Sequence, residues 1–238
     1  SGQADRRGMI LAIEEQNAKG GVLGRPVEYR WEDTETDASV AVRKAQRLIE
    51  RDKIDFMIGA LSSGVAAPLS ELAQRYGIIY FNSNSSADTV SGEKCQRVNF
   101  VWDANNWMFA NALGPLVVKN LGTRWFLLTH AYVWGKNATA ASRESMKKVG
   151  AEEVGELLIP QGTRDFSAQL LRIRNAKPQV VMANVAGIEQ TALREQAYEF
   201  GADKDAHWVF PQQDYPDLYA LGAKKAFGYF TTTWHYTL

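Results

Sequence analysis

The stretch Ile54-Asp55-Phe56-Met57-Ile58-Gly59-Ala60-Leu61-Ser62-Ser63-Gly64-Val65-Ala66-Ala67-Pro68-Leu69-Ser70-Glu71-Leu72-Ala73-Gln74-Arg75-Tyr76-Gly77-Ile78-Ile79-Tyr80-Phe81-Asn82-Ser83-Asn84-Ser85-Ser86 decides the fold. An apolar run, Phe56 to Ile58, ends at Gly59, and the small-residue loop Ser62-Ser63-Gly64 follows. An amphipathic run, Val65 to Tyr76, stops at Gly77. A second apolar run, Ile78 to Phe81, opens into the loop that ends at Ser85-Ser86. This pattern reads as strand, loop, helix, strand, loop. Two hydroxyl-rich loops therefore lie at the carboxyl ends of successive strands, the edge where open α/β sheets bind ligands. Exposed backbone N–H groups at a helix start favour an anion there. The stretch marks a site for a small, anionic molecule and offers no group to perform chemistry on it.

Working outward, the same alternation fills the chain. Helical periodicity covers Asp5–Asn17, Ser39–Arg51, Asn105–Asn120, Lys136–Val149, Phe166–Asn175, Ile188–Phe200 and Tyr215–Leu221. Strand signals cover Val27–Trp31, Val98–Trp102, Trp125–Thr129, Glu152–Leu158, Val180–Ala183, Trp208–Phe210 and Gly228–Thr233. Strict β/α alternation implies doubly wound parallel sheets with helices on both faces. The turn-rich run Asp103-Ala104-Asn105-Asn106 reads as a crossing from a first sheet to a second.

The bulk properties exclude several classes. A chain of 238 residues, 45% hydrophobic and 23% charged, is long enough for one or two cores. Its 27 basic and 27 acidic residues balance to a formal charge of zero, unlike a nucleic-acid binder. No apolar run approaches the roughly 20 residues that span a bilayer, and no leader segment is visible. Cys95 is the single cysteine, which excludes an internal disulfide framework and a multi-cysteine metal site. It reads as an inert buried thiol or as the partner of a cysteine outside this sequence. No metal-ligand spacing, P-loop or dinucleotide fingerprint occurs, because Gly20-Gly21-Val22-Leu23-Gly24 follows a helix rather than a strand. No G-x-S-x-G elbow activates a serine.

The order and spacing of several motifs resemble the type I solute-binding proteins of ABC transporters, the leucine/isoleucine/valine-binding family. They are the Gly59–Ser63 loop, Asn17-Ala18-Lys19-Gly20-Gly21-Val22-Leu23-Gly24-Arg25, Trp31-Glu32-Asp33-Thr34-Glu35-Thr36-Asp37, Thr163-Arg164-Asp165-Phe166-Ser167, and Ala176-Lys177-Pro178-Gln179-Val180-Val181. The resemblance covers nearly the whole chain. It implies two doubly wound lobes joined by hinge strands: a partial first lobe over 1–104, a second over 105–232, and a crossing back over 233–238. It also implies that the family's opening strand precedes Ser1, and that its return to the first lobe and third crossing follow Leu238.

By that resemblance the ligand carboxylate meets Ser63, Ser85 and Ser86, although loop serines also serve simply to bond nearby backbone. Trp134, in the run Thr129–Gly135, takes the place of the family's ring-covering aromatic, or else packs on the core at a helix start, with Tyr132 beside it. Trp102 and Trp107 flank the crossing and either line the pocket or cement the hinge. Gly187 permits close approach of backbone to ligand or serves a tight turn. Gln212, Gln213 and Asp214 lie where amino-acid-binding members place a carboxylate against the ligand ammonium. Asp214 reads equally as the N-cap of the helix starting at Tyr215.

The resulting expectation is a non-enzymatic, monomeric, periplasmic or membrane-tethered extracellular receptor with no cofactor and no metal. It closes two lobes around a small carboxylate and delivers it to an ABC permease. The ligand is a branched-chain or other hydrophobic amino acid, or an aromatic acid. Two other readings stand beside it: a cytoplasmic amide or amino-acid sensor that regulates a partner, and a doubly wound hydrolase or transferase.

Overall fold

A computed structural model describes residues 2–213 and 215–232. The chain divides into two compact units, residues 2–85 with 89–103 and residues 86–88 with 104–232.

The first unit contains helices α1 (Gly2–Ala18), α2 (Ala38–Glu50) and α3 (Ser63–Tyr76) and strands β1 (Phe56–Gly59), β2 (Ile79–Asn82) and β3 (Asn99–Val101). The short helix α4 (Asp88–Ser91) begins in residues of the second unit. The strands pair in parallel in the order β1-β2-β3. Alternation along the strands turns Met57 and Tyr80 onto one face, where Ala41, Ala45 and Ile49 of α2 and Val65, Leu69 and Leu72 of α3 cover them. Asp37 caps α2 by accepting from the Val40 N–H. α3 ends at Gly77, whose φ of 67° is the left-handed conformation that closes a helix. Helices on both faces were expected here. Instead, the opposite face leaves Phe56, Ile58, Ile79 and Phe100 exposed, and α1 buries none of its residues.

A strand was also expected at Val27–Trp31, and the structure has none there. The alternation of Val27, Tyr29 and Trp31 is present. Strand identity, however, requires a neighbour that exchanges N–H and C=O groups, and no described strand lies beside this segment. The Val27 backbone bonds the Asn17 side chain instead. Cys95 is free and exposed, which corrects its reading as a buried thiol.

The second unit contains α5 (Asn106–Asn120), β4 (Arg124–His130), α6 (Val133–Val149), β5 (Glu152–Ile159), α7 (Ser167–Ala176), β6 (Val180–Asn184), α8 (Ile188–Glu199), β7 (His207–Phe210), α9 (Tyr215–Leu221) and β8 (Tyr229–Phe230). Its sheet is wholly parallel, in the order β5-β4-β6-β7-β8. Both faces are packed. Phe126, Leu128, Val181, Ala183, Trp208 and Phe210 meet Leu170, Ile173, Leu193 and Ala197 on one side. Trp125, Leu127, Val180, Met182 and Val209 meet Leu113, Val117 and Met146 on the other. β8 is shorter than the expected Gly228–Thr233, and Thr233 with the expected crossing at 233–238 lies outside the described residues. Among the described residues no helix is long and apolar enough to cross a membrane.

Candidate functional site

Each unit gathers part of the expected set at the carboxyl edge of its own sheet. In the first, β1 gives way to α3 through Ser62, the N-cap, whose side chain makes no capping bond. The Ser62 carbonyl accepts from Val65 and Ala66. The N–H groups of Ser63 and Gly64 have no acceptor among the described residues, so the positive end of α3 is open. Ser63 is buried, and its Oγ lies 3.0 Å from the Ser85 Oγ that donates to it. Ser85 is held by Asn82 at the end of β2. Asn82 Oδ1 accepts the Ser85 N–H at 2.9 Å, and its Nδ2 donates to the Ser85 carbonyl at 3.3 Å. Asn82 is wholly buried, so its two bonds fix Ser85 beside Ser63. Trp102 stands apart from that frame: 58% exposed, it contacts the Phe81 ring at 6.0 Å.

Ser86 belongs to the second unit, where it joins Trp134 and Gln212. Trp134 Nε1 donates to Ser86 Oγ at 2.9 Å and lies 3.1 Å from Gln212 Oε1, which also accepts from Ser86 Oγ at 3.1 Å. Asn106 ties the group together: its N–H donates to the Ser86 carbonyl, and its Nδ2 donates to the Trp134 carbonyl. Gly135 lets the first turn of α6 sit on the end of β4, because a Cβ there would collide with the His130 carbonyl. That close approach sets the depth of Trp134, which is 6% exposed. Tyr132 stacks on Trp134 with ring centroids 5.9 Å apart and meets His130 edge-on at 4.7 Å. Burial, with Glu189 adding to it, raises the Tyr132 hydroxyl pKa well above its ordinary value.

The indole N–H is only a donor, so the Gln212 atom facing it is the amide oxygen. Gln212 therefore turns its Nε2 elsewhere, and that group has no partner among the described residues. Gln213 is 2% exposed, and its Oε1 accepts from Arg194 at 2.9 Å. Asp214 lies outside the described residues. Gly187 precedes α8 at φ 70° and ψ −147°, a backbone conformation that favours glycine. Next to it, Glu189 Oε1 accepts the Gly162 N–H at 2.7 Å and lies 3.9 Å from His130 Nε2. His130 Nε2 is buried without a hydrogen-bond partner among the described residues, and desolvation holds the imidazole pKa below its ordinary value. Among the described residues no cluster of three or more His, Cys, Asp or Glu could hold a metal.

The side chains that hold the serines carry no signal of their own in the sequence. Asn82 and Asn106 were readable only as turn residues. Gln212, rather than its neighbour Gln213, is the residue joined to Ser86 and Trp134.

A profile of the periplasmic binding protein family matches residues 1–238. A Leu/Ile/Val-binding protein homolog of Brucella melitensis is 24% identical over 84% of this chain and 54% of its own length. The crystal structure of a periplasmic binding protein from Burkholderia mallei superposes with a TM-score of 0.84 at 29% identity, covering 90% of this chain and 57% of that one. A solute binding protein of an ABC transporter from R. palustris, solved in complex with benzoate, shares the fold with a TM-score of 0.80. It is 23% identical, over 90% of this chain and 59% of that one. The chain spans about half the length of the curated relatives it matches.

Proposed function

We propose, because the chain belongs to the periplasmic binding protein family, that it is the extracytoplasmic solute receptor of an ABC importer and binds a small carboxylate without transforming it. Residues 1–104 and 105–232 act as its lobes, and an ABC permease is its partner. The observation that carries this reading is the Ser63–Ser85 hydroxyl pair at the open start of α3, set by the buried Asn82. Hydroxyl and N–H donors converging on one place suit a carboxylate, and each charge-assisted bond contributes about 1.5–3 kcal/mol.

Gln212 supports a narrower ligand class. Its amide oxygen is already occupied by Trp134 and Ser86, so the group it has left is a donor. A donor suits a carbonyl, hydroxyl or carboxylate oxygen and offers nothing to a buried ammonium, which needs a charge partner. With the Trp134–Tyr132 ring pair beside it, this favours an aromatic or other non-amine acid, as in the benzoate-bound relative. The second reading is a branched-chain amino acid, supported by the name of the Brucella relative.

Gln212→Glu separates the two. In calorimetric titrations of the full-length protein, the non-amine reading expects wild type to bind benzoate more tightly than leucine and the variant to lose benzoate affinity by about tenfold or more. Tight leucine binding by wild type with no measurable benzoate binding supports the amino-acid reading instead.

A further inference from the structure

Arg194 is the most unusual charge in the described residues. It lies two turns into α8 and is fully buried. Its guanidinium lies over the Phe210 ring, 3.5 Å from the centroid, and near the Phe227 ring at 5.8 Å. Nη2 donates to Gln213 Oε1 at 2.9 Å, Nη1 donates to the Phe227 carbonyl, and Nε has no hydrogen-bond partner among the described residues. No described carboxylate forms an ion pair with it. Burial pushes its pKa down to about 10, so it remains charged at neutral pH. Removing a cation from water without an anion beside it is costly. An apolar residue would fill the same space at less cost, so core packing alone does not account for an arginine here.

What the arginine touches supplies a reason. Gln190 stands four residues before Arg194, on the same face of α8. Gln190 Nε2 donates to the Gln212 carbonyl at 3.3 Å while Arg194 grips the next side chain, Gln213. From the other side, the Gln213 N–H donates to the Thr231 carbonyl just past β8, and Thr231 Oγ1 donates to the Pro211 carbonyl. The loop leaving β7 is thus fixed at Pro211, Gln212 and Gln213 in turn. A residue with a single donor could hold one of these points. The planar fork of arginine holds Gln213 and the Phe227 backbone together.

We propose that Arg194, with Gln190, is a specificity-determining positioning residue: it holds the 211–213 loop so that the Gln212 oxygen faces Trp134 and Ser86 and its amide N–H groups face the ligand. This rests on the reading of Gln212 as a ligand group, and the positioning itself can be tested without any ligand.

The experiment uses full-length protein with 15N-labelled tryptophan, the Trp134 indole resonance being assigned through Trp134→Phe. Arg194→Lys keeps the charge and loses the fork; Gln190→Leu loses only the second clamp point and is the variant less prone to misfold. In folded protein, both variants are expected to move the Trp134 indole N–H resonance and speed its exchange with solvent, because Gln212 is released. An unmoved resonance in both overturns the proposal. Benzoate and leucine are then titrated into the same variants. The ratio of their affinities is expected to fall by about fivefold or more in Gln190→Leu while the melting temperature stays near that of wild type. A ratio unchanged in both clamp variants but altered in Gln212→Ala overturns the clamp and leaves the Gln212 reading standing. A ratio unchanged in Gln212→Ala removes the reading on which the clamp depends.

Discussion

The two sheets differ in how they are covered. That of the second unit has both faces packed, with Trp125 and Trp208 each at or below 1% exposure. That of the first unit has α2 and α3 on one face and exposed aromatic and aliphatic side chains on the other. Yet the first unit carries the more tightly framed group of donors, since Asn82 binds both backbone groups of Ser85. A donor group at a sheet's carboxyl edge is thus set by loop residues and a helix start, whereas stability is set by the layers on either side.

The largest test of that contrast is a pair of core truncations. Trp208→Ala removes a ring packed against Phe210 and Phe227 and is expected to cost about 3–5 kcal/mol. Phe100→Ala, at a half-exposed position, is expected to cost under about 1 kcal/mol. Denaturant unfolding checks both, and equal losses break the comparison.

Asn82→Ala comes next. It leaves the Ser85 N–H and carbonyl without their partner, for an expected loss of about 1–3 kcal/mol in stability. Carboxylate affinity should fall with it even though Asn82 touches no ligand in this account. Full affinity in a folded Asn82→Ala protein detaches the serine pair from its frame.

The smallest effect is a pH slope. The His130 pKa lies below its ordinary value of 6.5, first because the ring is buried and despite the opposing charge of Glu189. The facing groups are Glu189 from the start of α8 and Tyr132 ahead of α6. A depressed histidine pKa means the unfolded chain takes up the proton first. His130 therefore contributes its full stabilisation above pH 6.5, and that contribution is lost as pH falls through the folded value. Melting temperatures across this range should decline towards acid in wild type and decline less in His130→Gln. Identical slopes in the two remove His130 as the cause.

How far the sequence carried these features depends on how local their causes are. The alternation Trp125-Phe126-Leu127-Leu128 sorts side chains to two faces by itself, so β4 was readable and its two cores followed. The loop positions of Ser63 and Ser85 were readable because a strand end, a small-residue loop and a helix start are contiguous. Val27–Trp31 has the same alternation and is not a strand, because pairing is a property of two segments and not of one. The contacts of Gln212 and Gln213 turn on which side chain Arg194 captures, and nothing in the sequence sets Arg194 apart from the other charges of its helix. The Phe210 and Phe227 rings that lie against its guanidinium are distant in sequence.

Everything proposed for the ligand depends on carboxylate binding by the Ser63–Ser85 pair of the first unit. Calorimetric titration of benzoate and leucine into full-length wild type and Ser63→Ala protein tests it most directly. Saturable binding of at least one of the two acids is expected, with a loss of about 1.5–3 kcal/mol of affinity in the variant. Binding of neither acid, or equal affinity in both proteins, contradicts it.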